Sequence, residues 1–260
     1  KACADRVHYI GRLYVESDLI FAGDYLNVTE EIKAIKQISQ EIEIYIALPF
    51  IIRLRDSAYL EKLRKLLDGG IIDGCLVRNI EELGMFTTGS FADINIELAT
   101  DAGMYCFQSY AVREYSRYSA TITLPYELNG AEKRHLMAQF KDISFEQVVY
   151  GRIPMMVTAN CLAKTAGKCN KTAKDTVLID RYRHEFPVQN VCEHCYNIIW
   201  NCIPMSLHAR LEDYANCIMR IQLTVESKHE TEKILDFYIK GEGPCPVNEY
   251  TTGHEKRGVE

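Results

Sequence analysis

The most constraining feature of this chain is an alternation. Between residues 30 and 151, short strand-type runs take turns with helical periods of about ten residues. Ile32, Ile35 and Ile38 recur at helical spacing, and Ile42-Glu-Ile-Tyr-Ile-Ala-Leu-Pro49 follows as a strand stopped by proline. Tyr59, Leu60, Leu63, Leu66 and Leu67 line one face of a helix closed by Gly69-Gly70, and residues 71–77 then read as a buried strand. A shorter helix begins over residues 81–85, and helices are expected at 111–115 and 131–140. Strands are expected at 119–125 and 145–151, with residues 92–98 and 104–107 competing for one further strand. A last strand over 218–225 and a helix over 230–239 follow. Near the start, residues 8–10 and 19–22 are apolar runs of strand length with too little chain between them for a crossover helix. Strand–helix alternation points to a parallel sheet. Seven or eight strand candidates make a closed or partly closed (β/α) barrel of the TIM type the leading α/β architecture.

Composition narrows the classes. With 260 residues and 47% apolar side chains the chain can bury a sizeable core. A net charge of -6 argues against coating nucleic acid by charge alone, although a local basic patch stays open. No apolar run reaches the roughly 18–20 residues of a membrane span, and the start Lys-Ala-Cys-Ala-Asp-Arg has no signal-peptide core, so a cytoplasmic protein is expected. Ten cysteines in 260 residues fall below the roughly 8–10% of disulfide scaffolds, which favours reduced thiols. The chain starts at Lys1 without Met and reads as a piece of something longer.

The alternation breaks after Pro154. Residues 160–201 show no helical period, and four of the ten cysteines fall here: Cys161, Cys169, Cys192 and Cys195. A loop this long with clustered thiols reads as a functional excursion on the barrel rim. The expected division is therefore a barrel portion at 1–154, a cysteine-rich metal or cluster-binding excursion at 155–205, and a closing strand, helix and tail at 206–260. Only Cys192 to Cys195 makes a tight Cys-x-x-Cys knuckle, whereas Cys161 and Cys169 are eight positions apart. That weakens a zinc ribbon and strengthens an iron–sulfur cluster, with zinc as the alternative. Cys202 is a spare thiol in sequence, and His184 or His194 could replace a thiolate.

In a parallel barrel the loops after the strands form the functional face. Arg78, Glu127 and Arg152 each follow a strand candidate, so a carboxylate and two guanidinium groups could converge on one pocket, where the arginines would suit a carboxylate or phosphate. The plain structural alternative is that Glu127 caps the next helix and both arginines are rim ion pairs.

Together these residues carry a resemblance. Tyr150-Gly-Arg-Ile-Pro-Met-Met, the four cysteines, Asp180-Arg181, Phe186-Pro187-Val188, Tyr196-Asn197 and the closing Tyr250-Thr-Thr-Gly-His-Glu-Lys-Arg-Gly-Val259 resemble the C-terminal part of peptidase family U thirty-two, the collagenase-like proteins. Ile44-Tyr-Ile-Ala-Leu-Pro49, Asp73-Gly-Cys-Leu-Val-Arg78-Asn79 and Leu124-Pro-Tyr-Glu127-Leu-Asn129 resemble that family's barrel segments. The resemblance implies a (β/α) barrel that is part of a longer chain. It further implies an enzyme that hydroxylates RNA bases or a small aromatic ring, with prephenate as oxygen donor. By the same resemblance Cys161, Cys169, Cys192 and Cys195 would hold a 4Fe-4S cluster, and Arg78, Glu127 and Arg152 would line a pocket beside it. Gln108 and Cys202 depart from the family pattern, where asparagine and serine are expected.

Two other functions stand beside the hydroxylase. The family label implies a peptidase, yet no His-Glu-x-x-His, no Gly-x-Ser-x-Gly and no papain-like cysteine setting occurs. The other is a zinc-stabilised, non-catalytic binding module. Lys164, Lys168, Lys171, Lys174, Arg181 and Arg183 would give the excursion a local positive field toward RNA, or be simple solvated charges.

Overall fold

A computed structural model describes residues 4–18, 25–53, 56–169, 176–241 and 244–258. The apolar run at 19–22, Lys171, Lys174 and Val259 lie outside them. The chain divides into two compact units, Lys1–Gln147 with Asp213–Ile218 and His254–Glu260, and Val148–Glu212 with Met219–Gly253.

The first unit is built on strands β1 (Arg12–Glu16), β2 (Glu43–Ala47), β3 (Gly74–Val77), β4 (Glu97–Thr100), β5 (Thr121–Thr123) and the first half, up to Gln147, of β6 (Ser144–Gly151). They pair in chain order, each parallel to the next. Helices α1 (Tyr25–Ile38), α2 (Ser57–Asp68), α3 (Ile80–Thr87), α4 (Ser109–Tyr115) and α5 (Gly130–Gln139) connect them. Along β2 the side chains alternate between two apolar environments: Ile44, Ile46 and Leu48 pack with the helical Leu63, Leu66 and Leu67, while Tyr45 and Ala47 pack with Leu76 and Ala99. Burial on both faces makes such a strand an unbroken apolar run in the sequence.

The parallel sheet is curled. A flat sheet would hold β1 and β6 about 24 Å apart, five strand spacings. Instead the Tyr14 hydroxyl of β1 donates to Glu146 Oε2 of β6 at 2.9 Å, and Arg12 Nη1 donates to Thr121 Oγ1 of β5 at 3.0 Å. The concave face is thus filled by polar groups as well as apolar ones. Arg12 pairs with Glu43 at 2.7 Å, its guanidinium lies 4.0 Å from the Tyr45 ring centre, and Tyr45 donates to Glu97 at 2.7 Å. Gly74 makes room for that ring, since a Cβ there would stand 2.2 Å from Tyr45 Cε1. Among the described residues β1 has one strand neighbour, β2.

The expected helices and strands of this unit are present, with two differences at its start and middle. Residues 4–9 form a 3-10 turn, and β1 begins only at Arg12. Its concave-facing Arg12, Tyr14 and Glu16 are polar, which removes the apolar signal a half-buried strand normally gives. Of the two competitors for the fourth strand, Glu97–Thr100 is the strand and Ala102–Met104 is a 3-10 turn capped by Asp101.

At α5, Asn129 and Glu132 form a reciprocal cap. The C-terminal segment docks on this helix start: Gly130 N–H donates to the Glu255 carbonyl at 3.0 Å, and a Cβ at Gly130 would stand 2.1 Å from Glu255 Oε1. The buried Glu255 carboxylate accepts from Tyr214 at 2.7 and 2.8 Å and faces Lys133 Nζ at 3.4 Å. Burial pulls the Lys133 amine below the usual lysine range, against the opposing charge of Glu255.

In the second unit, β7 (Pro154–Thr158), β8 (Thr176–Ile179), β9 (Glu185–Val191) and β10 (Tyr196–Trp200) form an antiparallel sheet in the order β7-β10-β9-β8, with the short helix α6 (Leu162–Thr165) after β7. The irregular excursion expected here is therefore regular structure. It escaped periodicity because its strands are short, β8 is exposed along its length, and Pro187 interrupts β9. Here Val148–Gly151, the end of β6 that belongs to this unit, pairs through Tyr150 and Gly151 with β11 (Met205–Ser206). Tyr150 also accepts from Gln222 just after β12 (Ile218–Ile221), and α7 (Lys228–Lys240) follows behind a Ser227–Glu230 capping box. Among the described residues no helix is long and apolar enough to cross a membrane.

Candidate metal centre and strand-end residues

Strand register alone gathers the segments that carry the four cysteines. Thr158 at the end of β7 pairs with Asn197, and Tyr196 at the start of β10 pairs with Val191 at the end of β9. Cys161, three residues past β7, and the Cys192–Cys195 turn between β9 and β10 therefore leave the same end of the sheet. Buried Asn197 ties them together: its Oδ1 accepts from Leu162 N–H at 2.9 Å and its amide donates to Asn190 Oδ1. Helix α6 then turns back, with Lys168 N–H on the Ala163 carbonyl at 2.9 Å and Gly167 at φ 66°, before reaching Cys169. Cys195 takes the left-handed conformation (φ 54°) that closes the turn, unusual for a residue with a side chain.

None of the four cysteines is in a disulfide and none is fully buried. Burial raises the Cys192 thiol above its usual range, and negative charge on Cys161, Cys169 and Cys195 raises it further, so the four sulfurs share one electrostatic neighbourhood. Among the described residues no three Cys, His, Asp or Glu side chains are arranged as a metal-ligand set. The donor chemistry, four reduced thiols reachable from solvent, fits zinc or an iron–sulfur cluster.

The other nearby donors separate. His184 lies in the turn between β8 and β9, where its Nδ1 pairs with Asp180 Oδ2 at 2.9 Å. It stands at the opposite end of β9 from Cys192, about 27 Å away along an extended strand. Cys202 follows β10 at its far end, so neither residue is a spare ligand for this group. His194 sits inside the Cys-x-x-Cys turn, fully buried and stacked on Tyr196 at 6.2 Å. The basic residues divide the same way, with exposed Lys164 and Lys168 near the thiols and exposed Arg181 and Arg183 at the other end of the sheet.

The strand-end residues occupy different settings. Arg78, after β3, is a buried structural hub: it pairs with both oxygens of Glu16 at 2.7 and 2.6 Å, with Asp101 at 3.0 Å, and with the Leu48 carbonyl at 2.9 Å. Its own N–H donates to buried Glu82 Oε2 at 2.6 Å. Glu127, after β5, leaves capping to Asn129, and its Oε2 is buried with no hydrogen-bond partner. Its charge acts on Lys133. Arg152, after β6, belongs to the second unit with the thiols, but β7 separates it from them by about 14 Å of strand.

One nucleophile-like pair escaped the sequence. Ser206 Oγ lies 2.8 Å from His208 Nδ1 and 2.7 Å from the Tyr238 hydroxyl. Ser206 is 1% exposed, which closes it to a peptide substrate. Ser206 ends β11 and His208 opens the 3-10 segment after it, a spacing that leaves no sequence motif for such a pair.

Comparison with protein-family models, with curated proteins and with solved structures gives no match to this chain.

Proposed function

We propose that this chain is part of an iron–sulfur hydroxylase of the collagenase-like family U thirty-two, acting on RNA bases or a small aromatic substrate with prephenate as oxygen donor. Its curled parallel sheet is read as a portion of a TIM-like barrel. The observation that supports this best is the convergence of the Cys161, Cys169 and Cys192–Cys195 segments at one end of the small antiparallel sheet. Four thiolates there would hold a 4Fe-4S cluster, which supplies one-electron redox chemistry when bound. Asn197 holds the α6 start against β10, so that Cys161 stays beside the Cys192–Cys195 turn. Arg152, in the same unit as the thiols, is the strand-end residue proposed to meet the substrate.

A zinc module is the second reading, supported by the hairpin knuckle at Cys192–Cys195 with its left-handed Cys195. The peptidase reading gains no support, because Ser206 is buried. Protein purified without oxygen should be brown, with bound iron and acid-labile sulfide, and Cys192→Ser should lose both. Colourless protein carrying stoichiometric zinc would sink the hydroxylase in favour of the zinc module.

A further inference from the structure

Beyond β4 the first unit carries an aromatic surface that neither the thiols nor the strand-end residues account for. Residues 104–107 compete for a strand in the sequence because they alternate, and the alternation serves another end. Met104 and Cys106 are buried anchors, whereas Tyr105 and Phe107 are 57% and 42% exposed. Asp101, itself held by Arg78, caps the 3-10 turn Ala102–Met104. Tyr105 then takes the left-handed conformation (φ 54°), with its N–H on the Ala102 carbonyl at 3.1 Å and its own carbonyl accepting from the Phe107 N–H at 2.8 Å. That conformation is costly for a residue with a ring and persists only where its surroundings impose it, which makes it a pointer to function. It sets the two rings side by side, 15° from parallel, with their centres 5.7 Å apart.

Two more exposed rings follow, Tyr110 on α4 at 77% and Tyr118 beyond its end. Between residues 81 and 154 these four are the exposed large apolar side chains, and no Leu, Ile, Val or Met joins them. Exposed Gln108, Arg113, Glu114 and Arg117 are interleaved with the rings. The buried heart of a protein–protein patch is depleted of charge, whereas rings interleaved with cations are what a single nucleic-acid strand needs: a face for each base and a charge for the backbone. Two arginines stand against one glutamate here. Arg117 pairs with Glu114 at 2.8 Å, while Arg113, 5.9 Å from the Phe140 ring centre, has no ion pair among the described residues. We propose that Tyr105, Phe107 and Tyr110 form a stacking platform for unpaired bases of single-stranded RNA, with Arg113 meeting a backbone phosphate.

The choice of RNA rests on the proposed function, whereas stacking is independent of the thiols. A labelled oligoadenylate of about 12 nucleotides, within the span such surfaces cover, and the same strand annealed to oligouridylate serve as probes of the full chain in fluorescence anisotropy. The single strand should bind about 10-fold or more tighter than the duplex, whose bases are already stacked. Tyr105→Leu and Phe107→Leu keep an apolar side chain without the ring, and each should weaken binding about 5-fold or more. Arg113→Gln should flatten the salt dependence while the preference for the single strand stays. Thermal melting shows whether the variants fold, and Tyr110→Leu, on the helix, repeats the test away from the left-handed turn. Equal affinity for the duplex, leucine variants that bind like the parent, or no binding at micromolar protein would each overturn the platform. A parent dimer that the leucine variants turn into monomers in sedimentation would overturn it in favour of a second copy of the chain. Bound iron and sulfide without RNA binding would leave the hydroxylase with its small aromatic substrate, and RNA binding without iron would leave the platform on a zinc module.

Discussion

Glu82 shows how much a single buried carboxyl can govern. It lies in α3, fully buried, with Oε2 accepting the Arg78 N–H and Oε1 facing no partner. Burial dominates its ionisation and lifts its pKa to about 8, against the opposing pull of the Arg78 and Asn79 contacts. Below the ordinary glutamate range both folded and unfolded chains carry the proton, and Glu82 is silent. Between that range and about 8 the folded protein keeps a proton that the unfolded chain has released, so stability falls as pH rises, by about 1.4 kcal/mol per unit. Above about 8 the loss is complete. Glu82→Gln should remove this slope: its stability relative to the parent, from urea unfolding, should improve steadily from pH 5 to pH 8. A constant difference would mean that Glu82 is already ionised in the folded state. Glu127 and the two arginines were legible in the sequence as residues that follow strands. What the sequence could not tell is that Arg78 is consumed by Glu16 and Asp101, which lie far from it along the chain, whereas Arg152 donates to the backbone carbonyls of Asn201 and Cys202.

At the scale of elements, the small antiparallel sheet is the part that periodicity hid. Its thiols were visible as a cluster in sequence, but their convergence depends on the pairing of β7 with β10 and of β10 with β9. Asn197 is the pin in that pairing, since its side chain reaches from β10 to the backbone of α6. Asn197→Ala leaves every thiol in place while freeing the Leu162 N–H and the Asn190 side chain. It should cost about 1–3 kcal/mol of stability and lower bound iron or zinc per chain. Unchanged metal content in that variant would mean that the Cys161 segment does not depend on this contact. The same register explains why His184 and Cys202 dropped away. Both are close to the cysteines along the chain, yet each leaves the opposite end of a strand.

For the molecule as a whole, curvature of the parallel sheet is the decisive property, and Tyr14 reports on it. Its hydroxyl reaches Glu146, a buried carboxylate that otherwise accepts from Thr123 at 2.9 Å. Tyr14→Phe keeps the ring and removes one donor from a buried acceptor, an expected loss of about 1–3 kcal/mol in urea unfolding. A loss well below that range would mean that water or another group replaces the hydroxyl. The strand–helix alternation from residue 30 onward determined by itself that the sheet is parallel and covered by helices, because a run buried on both faces needs a crossover helix between each pair of strands. Four closely spaced thiols likewise marked the segments that meet at one end of the small sheet. Only the tertiary structure decided how far the sheet curls, which polar residues fill its concave face, and which donors share an end of the small sheet. Those outcomes rest on contacts between residues far apart in sequence, such as Tyr14 with Glu146 and Leu162 with Asn197, and local pattern carries no record of them.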